Sequence, residues 1–187
     1  GQQVLATARL EADTPPVARQ RHDLGVMVAD ILSHARPVLE ARGAQLELEP
    51  TTVPVVVNVS TEEVSLMLDN LIDNAIKYSP GETKRVSVKV EREGRWANLS
   101  VEDRGTGIPE NERDNVLERF YRVGSELTRT SPGLGLGLYL VHRAVESLEG
   151  RLRLEDGAGG GTLVTILLPL LDASEYVATP AAAGAMD

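Results

Sequence analysis

The stretch TEEVSLMLDNLIDNAIKY, residues 61–78, predicts a helix with one apolar side and one unusual polar side. In a helix, six of its side chains share a broad apolar arc: Val64, Leu68, Leu71, Ile72, Ala75 and Ile76. The opposite side carries Asn70, Asp73, Asn74 and Lys77. An ordinary amphipathic helix would place Glu and Lys there, so the two carboxamides require an explanation.

Asn70 and Asn74 lie one turn apart on this polar side. Asn is unfavourable inside a helix because its side chain competes with the backbone for hydrogen bonds. An amide oxygen is a suitable ligand for Mg²⁺, and the Lys77 ammonium on the next turn suits phosphate oxygens. The pattern therefore has two interpretations, a magnesium–phosphate site or a solvated polar face.

Length and composition indicate one globular α/β domain. The chain has 187 residues, of which 42% are hydrophobic, so it can bury a core. Its formal net charge of −9 argues against a nucleic-acid partner, and the absence of Cys excludes disulfides. The longest apolar stretch, Leu163 to Leu171, is too short to span a bilayer, and no signal peptide is visible. We therefore expect no direct membrane insertion, and a cytoplasmic location fits these features.

Apolar periodicity predicts the remaining elements. Asp23 is expected to cap a helix running to about Ala41, with a kink or break at Pro37 and with Gly43 just after the helix. A third helix is expected from Leu138 to Leu148. The predicted strands are Ala44–Glu49, Val55–Val59, Val86–Glu93, Trp96–Glu102, Arg151–Glu155 and Thr162–Leu168. This order favours a mixed or antiparallel sheet with helices on one face, rather than a doubly wound parallel sheet.

The segment DRGTGI, residues 103–108, follows a predicted strand. One interpretation is a simple turn. The other is that Asp103 accepts a hydrogen bond from an exocyclic amine while the glycines let the backbone approach a flat ring. An acceptor paired with a ring-nitrogen contact would read adenine and reject guanine.

Two further segments are rich in glycine. GLGLG, residues 133–137, ends a polar loop and enters the third predicted helix, so it is either an anion site at a helix N-terminus or a flexible hinge. It matches neither a Walker loop nor the dinucleotide-binding pattern. Residues 157–161 predict a hairpin turn and nothing more. Thr162, just past this turn, would bring its hydroxyl near an adenine if the last strand lines the pocket.

In order and spacing, these segments resemble a known family. The chain contains Asn-x3-Asn-x2-Lys-Tyr, Asp-x-Gly-x-Gly-Ile, Arg-Phe-Tyr-Arg, Gly-x-Gly-x-Gly-Leu and Gly-Thr. This combination resembles the ATP-binding catalytic domain of bacterial two-component sensor histidine kinases, in the GHKL superfamily, over roughly residues 23–169. The resemblance implies the GHKL, or Bergerat-type, fold, which is an α/β (α+β) two-layer sandwich with a mixed and mostly antiparallel sheet of about five strands packed on three helices. It also implies the cofactors ATP and Mg²⁺.

The resemblance also implies a role for each matching residue. Asn74 would bind Mg²⁺ with help from Asn70, Lys77 would contact phosphate, and Asp103 would bond the adenine amine. Arg122, in the Phe-Tyr-Arg segment, would reach the terminal phosphate. The other nucleotide contacts implied are Tyr78, Gly105, Gly107, Ile108, Gly133, Gly135, Gly137, Leu138 and Thr162, with the glycines at 133, 135 and 137 anchoring a flexible lid.

Position 70 distinguishes branches of this superfamily. Gyrase-type, mismatch-repair and chaperone relatives carry Glu one turn before the metal-binding Asn, as general base for water. This chain has Asn70 there, and a carboxamide does not accept a proton at neutral pH. We therefore expect no catalytic residue in this fragment and phosphoryl transfer to a delivered nucleophile rather than efficient hydrolysis of ATP.

The resemblance implies an arrangement of domains and partners as well. Residues 1–20 would be a remnant of the dimerisation and phosphotransfer helix with its linker, residues 21–171 the catalytic domain, and residues 172–187 a disordered tail. His22, His34 and His142 lack the sequence context of a phosphoacceptor, so the acceptor hairpin is expected to be absent. The expected partners are that hairpin and a response regulator, and the parent is expected to be a homodimer and a candidate inner-membrane sensor. The alternatives are a degenerate nucleotide-binding module that acts through protein contacts, or a serine kinase of the same superfamily.

Overall fold

Seven strands and three helices make up residues 18–105 and 134–172, which are the residues that the computed structural model describes. The helices are α1 (Leu24–Ala41), α2 (Thr61–Tyr78) and α3 (Leu134–Ser147). The strands are β1 (Gln20–Asp23), β2 (Ala44–Glu49), β3 (Val56–Val59), β4 (Lys84–Glu93), β5 (Trp96–Asp103), β6 (Arg151–Asp156) and β7 (Thr162–Pro169).

Five strands form the main sheet in the order β2-β4-β5-β7-β6. Strands β2 and β4 run parallel, whereas the β4–β5, β5–β7 and β6–β7 pairs are antiparallel. Strands β1 and β3 form a separate antiparallel pair. The predicted fold class, a mixed and mostly antiparallel sheet packed on three helices, is therefore confirmed.

The three helices cover one face of the main sheet. Helix α1 packs on β2 and β4, α2 on β4 and β5, and α3 on β6 and β7. Alternate strand residues point towards them, such as Val86, Val88 and Val90 on β4, and all of these are buried in one hydrophobic core. Each fully buried Val or Leu contributes about 1.5–3 kcal/mol relative to an exposed position. Burial of this face therefore fixes the helices on the sheet.

Helix α2 begins and ends at the predicted residues, and its first turn has a reciprocal cap. The Ser60 hydroxyl accepts a hydrogen bond from the Glu63 backbone N–H at 3.1 Å and donates one to Glu63 Oε2 at 2.9 Å. Glu63 Oε2 also accepts from the Ser60 backbone N–H at 3.0 Å. Two backbone N–H groups that the helix itself cannot satisfy are thereby bonded. The six residues predicted to form the apolar side of α2 are all buried.

Helix α1 has the predicted cap, and of the kink or break expected at Pro37 the break does not occur. Asp23 caps it as expected, its Oδ1 accepting from the Gly25 N–H at 3.0 Å. Pro37, however, does not break the helix, which continues to Ala41. Proline removes one N–H donor there, but Arg42 N–H and Gly43 N–H still bond the carbonyls of the last turn. Gly43 follows the helix with φ of +88°, as the sequence predicted.

Two other differences concern elements set by distant contacts. The valines of the predicted Val55–Val59 strand are buried, but the observed strand pairs with β1 outside the main sheet, and no sequence pattern predicted β1. Helix α3 begins at Leu134, not at Leu138, so glycines expected in a loop lie in its first turn. Glycine disfavours a helix by about 1 kcal/mol. The packing of Gly137, described below, overrides that preference.

Some predictions concern residues that the structure does not describe. The helical remnant and linker fall mainly on residues 1–17, and the predicted disordered tail falls on residues 173–187, none of which is described. Among the described residues, no helix is both long and apolar enough to cross a membrane. His34 lies on the exposed surface of α1, whereas the side chain of His142 on α3 is only 18% exposed.

We predict that Ser60→Ala lowers the free energy of unfolding by about 1–2 kcal/mol, because the hydroxyl of this buried cap bonds both the Glu63 N–H and its carboxylate. Urea titration monitored by the fluorescence of Trp96, the single Trp of the chain, measures the change. Ser33→Ala is the matched control, since the Ser33 hydroxyl is exposed and bonds only the Asp30 carbonyl in the described structure. Equal losses in both variants would contradict the capping role.

We predict that His142 makes stability fall in mild acid. Burial lowers the pKa of His142 below its usual value near 6.5, against an opposing effect of Glu146 and with a smaller lowering by Arg143. Below that pH the unfolded chain binds a proton that the folded chain resists, so the free energy of unfolding decreases as pH falls from about 6.5. His142→Gln is expected to remove this decrease in urea titrations between about pH 5 and 8. His34→Gln, at an exposed position, is expected to retain the wild-type profile.

Candidate functional site

The two carboxamides of α2 are buried against the first turns of α3. Asn70 is 3% and Asn74 9% exposed, so the interpretation as a solvated polar face is wrong for this pair. Gly137 faces them directly. A β-carbon at this position would lie 3.3 Å from Asn70 Oδ1 and 3.5 Å from both Nδ2 and Oδ1 of Asn74. The absence of a side chain on Gly137 therefore leaves room for both amides.

The amide of Asn74 has an unsatisfied donor. Asn70 Nδ2 donates to the Leu66 carbonyl of the preceding turn at 2.7 Å, whereas Asn74 Nδ2 is buried without a hydrogen-bond partner among the described residues. Leaving a buried donor unpaired costs about 1–3 kcal/mol. An amide side chain offers an N–H donor for a phosphate oxygen and a neutral oxygen of the kind that Mg²⁺ accepts as ligand. The Asn pair therefore fits a metal–phosphate group.

Lys77, which was expected to contact phosphate, is paired with Asp73. Its Nζ lies 3.0 Å from Asp73 Oδ2, and the side chain is 46% exposed. Arg42 Nη2 contacts the other oxygen of Asp73 at 2.7 Å. Burial alone would raise the pKa of Asp73, but hydrogen bonds from Arg42 and Lys77 outweigh it and hold the pKa below its usual value. Lys77 thus lies one turn from Asn74, with its ammonium bound to a carboxylate.

Asp103 ends β5, and its carboxylate is held by backbone donors. Asp103 Oδ1 accepts hydrogen bonds from the Gly105 N–H at 2.8 Å and the Thr162 N–H at 3.2 Å. The first bond closes a local turn, and the second connects β5 with the start of β7. Both described bonds use the same oxygen. The carboxylate is therefore oriented by the backbone, and neither of these bonds within the described residues occupies its second oxygen, Oδ2.

Gly161 permits this arrangement within the hairpin turn predicted for residues 157–161. The Gly157 N–H does bond the Gly161 carbonyl at 2.8 Å, as a hairpin turn requires. A β-carbon on Gly161, however, would overlap the Asp103 carbonyl oxygen and lie 2.5 Å from Asp103 Oδ1. In the sequence, the Gly-Thr pair at 161–162 is the feature that could have indicated this contact, because the backbone of both residues approaches Asp103.

The other predicted site residues fall into three groups. The Leu138 side chain is buried in the hydrophobic core. Gly135 lies in the first turn of α3, and Thr162 begins β7 with a partly exposed side chain. Outside the described residues lie Gly107, Ile108, Arg122 and Gly133, together with the side chain of Tyr78.

The structure thus brings the site residues together in two clusters. One is formed by α2 and α3 around Asn70, Asn74 and Gly137, and the other by β5 and β7 around Asp103 and Gly161. Helix α2 packs directly on β5. Within residues 18–105 and 134–172, no group of three or more His, Asp or Glu side chains could hold a metal ion by itself. A metal at the Asn pair would therefore require further oxygen ligands, such as phosphate and water.

Comparison with known proteins supports one family. The family model described as histidine kinase-, DNA gyrase B- and HSP90-like ATPase matches residues 60–172. The sensor protein kinase WalK of Staphylococcus saprophyticus is 30% identical over 168 residues, covering 89% of this chain and 27% of that protein. The sensor histidine kinase AruS of Pseudomonas aeruginosa is 35% identical over 187 residues, covering 97% of this chain and 18% of that protein. The chain therefore spans only about a quarter, or less, of the length of these relatives.

Solved structures agree with this assignment. The mycobacterial sensor histidine kinase MprB superposes with a TM-score of 0.62 at 31% identity, covering 81% of this chain and 97% of that one. Full-length ShkA in complex with AMPPNP gives a TM-score of 0.72 at 20% identity, with 96% of this chain and 36% of that chain covered, which shows the shared fold. The chain belongs to the histidine kinase-, DNA gyrase B- and HSP90-like ATPase family, as an ATP-binding domain of the sensor histidine kinase type.

Proposed function

We propose that this chain binds Mg²⁺-ATP and, within a longer protein, donates the γ-phosphoryl group to a histidine. The observation that carries the proposal is the buried and unpartnered amide of Asn74, beside Asn70 and against Gly137. A site with a costly unsatisfied donor at the end of a glycine-containing helix is suited to an anionic ligand that restores the missing hydrogen bond.

In this proposal Asn74 and Asn70 hold Mg²⁺ through their amide oxygens, and Lys77 contacts phosphate. Magnesium, when bound, neutralises negative charge on the phosphate oxygens. Asn74 Nδ2 is buried without a partner among the described residues and can donate to a phosphate oxygen. Lys77 is paired with Asp73, which fixes the ammonium one turn from Asn74. Contact with phosphate would require Lys77 to share or leave that pair.

Asp103 would select adenine. Its Oδ1 is bonded by two backbone N–H groups, which directs the remaining acceptor oxygen towards the ligand. That oxygen matches the exocyclic amine of adenine, whereas guanine presents a carbonyl at the equivalent position. We assign the roles predicted for Tyr78, Gly107, Ile108, Arg122 and Gly133 on the resemblance in sequence alone.

Asn70 favours transfer over hydrolysis. The neutral amide has no carboxylate with which to take a proton from water, and its Nδ2 is already bonded to the Leu66 carbonyl. The nucleophile must then be supplied by another group. The relatives WalK and AruS are named sensor kinases, and this supports a histidine on a separate helical hairpin as acceptor, with a response regulator downstream and a homodimeric parent.

We predict that Asp103→Asn weakens Mg²⁺-ATP binding by at least about tenfold. The Asn oxygen would still accept from the backbone N–H groups of Gly105 and Thr162, so the Asn NH₂ group would face the adenine amine. Two donors would then face each other, and no hydrogen bond could form. Calorimetric titration measures the affinity. Wild type is expected to prefer ATP over GTP, and the variant is expected to lose that preference.

Asp30→Asn is the matched control, because it makes the same chemical change on the exposed surface of α1. It is expected to bind ATP as wild type does. If Asp103→Asn bound ATP as tightly as this control, the assignment of Asp103 to the adenine amine would be wrong.

We predict phosphoryl transfer to a separately supplied acceptor hairpin from a related sensor kinase. With ATP labelled at the γ-phosphate, label should appear on the hairpin histidine as an acid-labile, base-stable adduct. Asn74→Ala should abolish it because this substitution removes the proposed metal ligand. Bound ATP without transfer to any acceptor hairpin would instead favour a nucleotide-binding module that acts through protein contacts.

A further inference from the structure

Arg19 bonds two helices at once, just before the chain enters β1. Its Nε and Nη2 donate to Glu63 Oε1 at 2.9 and 2.7 Å. The same Nη2 donates to the Ser147 hydroxyl at 2.6 Å, and Nη1 donates to the Ser147 carbonyl at 3.2 Å. A planar guanidinium with several fixed donors suits such a bridge better than a single ammonium. Arg19 therefore joins the first turn of α2 to the last residue of α3.

The partner of Arg19 on α2 is itself fixed. Glu63 is buried, and its other oxygen, Oε2, caps the helix through the N–H and hydroxyl of Ser60. The ion pair with Arg19 is partly shielded from solvent, because the Glu63 side chain is only 8% exposed. Such a charge-assisted, two-donor contact is stronger than an exposed surface pair. Arg19 thus acts on a rigid end of α2.

The same two helices meet again at the proposed nucleotide site. Glu63 near the start of α2 pairs through Arg19 with Ser147 at the end of α3, while Asn74, further along α2, faces Gly137 near the start of α3. The helices are therefore antiparallel. The two contacts are about 15 Å apart along the helix pair, at a rise of about 1.5 Å per residue. Both contacts therefore lie between the same two helices.

We infer that Arg19 is a positioning residue for the nucleotide site. By joining the ends of α2 and α3, it holds Asn74 and Gly137 at the distance from each other that accepts the phosphate–metal group. Because Arg19 directly precedes β1, this distance depends on a residue outside both helices. The inference rests on the proposed function. Without Arg19 the Ser147 end of α3 loses its two described bonds to the guanidinium, and its position relative to α2 then depends on the packing between the two helices.

The test is Mg²⁺-ATP affinity of Arg19→Gln in the full chain, measured by calorimetry at a temperature at which every variant is fully folded. We expect affinity to fall about three- to tenfold. Arg19→Lys, which keeps the charge towards Glu63 but not the two-helix bridge, is expected to be intermediate. Arg85→Gln is the matched control, because it removes the same charge from an exposed ion pair with Glu47 on the main sheet. It is expected to bind as wild type does.

A reciprocal measurement separates positioning from simple stabilisation. If Arg19 favours the arrangement that binds nucleotide, linkage requires saturating Mg²⁺-ATP to raise the stability of wild type more than that of Arg19→Gln. If Arg19 only stabilised the fold, Arg19→Gln would lower the free energy of unfolding by the same amount with and without nucleotide. Equal affinity of Arg19→Gln and wild type, or equal stabilisation by nucleotide, would overturn the inference.

Ser147→Ala provides a second variant that leaves the pair between Arg19 and Glu63 intact. It removes only the hydroxyl contact at 2.6 Å, and affinity is expected to fall about twofold. If Arg19→Gln does not fold, unchanged affinity in both Ser147→Ala and Arg19→Lys overturns the inference. Failure of wild type to bind Mg²⁺-ATP would instead refute the proposed function, so the two failures are distinguishable.

Discussion

The close contact between Gly137 and the two Asn side chains is the constraint on which the site depends. Helices in soluble proteins bury apolar side chains against one another, but here a glycine faces two buried amides. A β-carbon at position 137 would lie 3.3 Å from Asn70 Oδ1, a tight contact, and 3.5 Å from the Asn74 amide, an ordinary van der Waals contact. This geometry leaves a polar surface inside the protein, and Asn74 Nδ2 has no partner there among the described residues.

The rest of the fold holds this polar contact in place. Helix α2 is fixed along its apolar side by the sheet and at its start by the Ser60–Glu63 cap. Helix α3 packs on α2 and on strands β6 and β7. The second cluster, around Asp103, depends on the β5–β7 pairing, because the Thr162 N–H reaches Asp103 only when β7 lies beside β5. Both clusters are therefore products of tertiary packing on one sheet.

Features encoded within a single segment could be predicted from the sequence. The bounds of α2 followed from the period of its apolar residues, and the strands near residues 86–102 followed from alternation. The Asn pair and Asp103 stood out because their residue types are costly or unusual at those positions. The predicted start of α3 was wrong because glycine has a low helix propensity, whereas packing against Asn70 and Asn74 favours glycine at position 137. The partnership of β1 with β3 and the bridge made by Arg19 join segments far apart in the chain, and no local pattern contains such contacts.

The position of β7 has a consequence for synthesis of the domain. This strand comes last among the described strands, yet it lies inside the sheet between β5 and β6. While the chain emerges from the ribosome, β5 has an open edge and β6 has no neighbour until residues up to Pro169 have left the exit tunnel. The sheet therefore closes only after nearly the whole domain has been translated, and a nascent chain interrupted before β7 would expose one edge of β5 and an unpaired β6 to its neighbours.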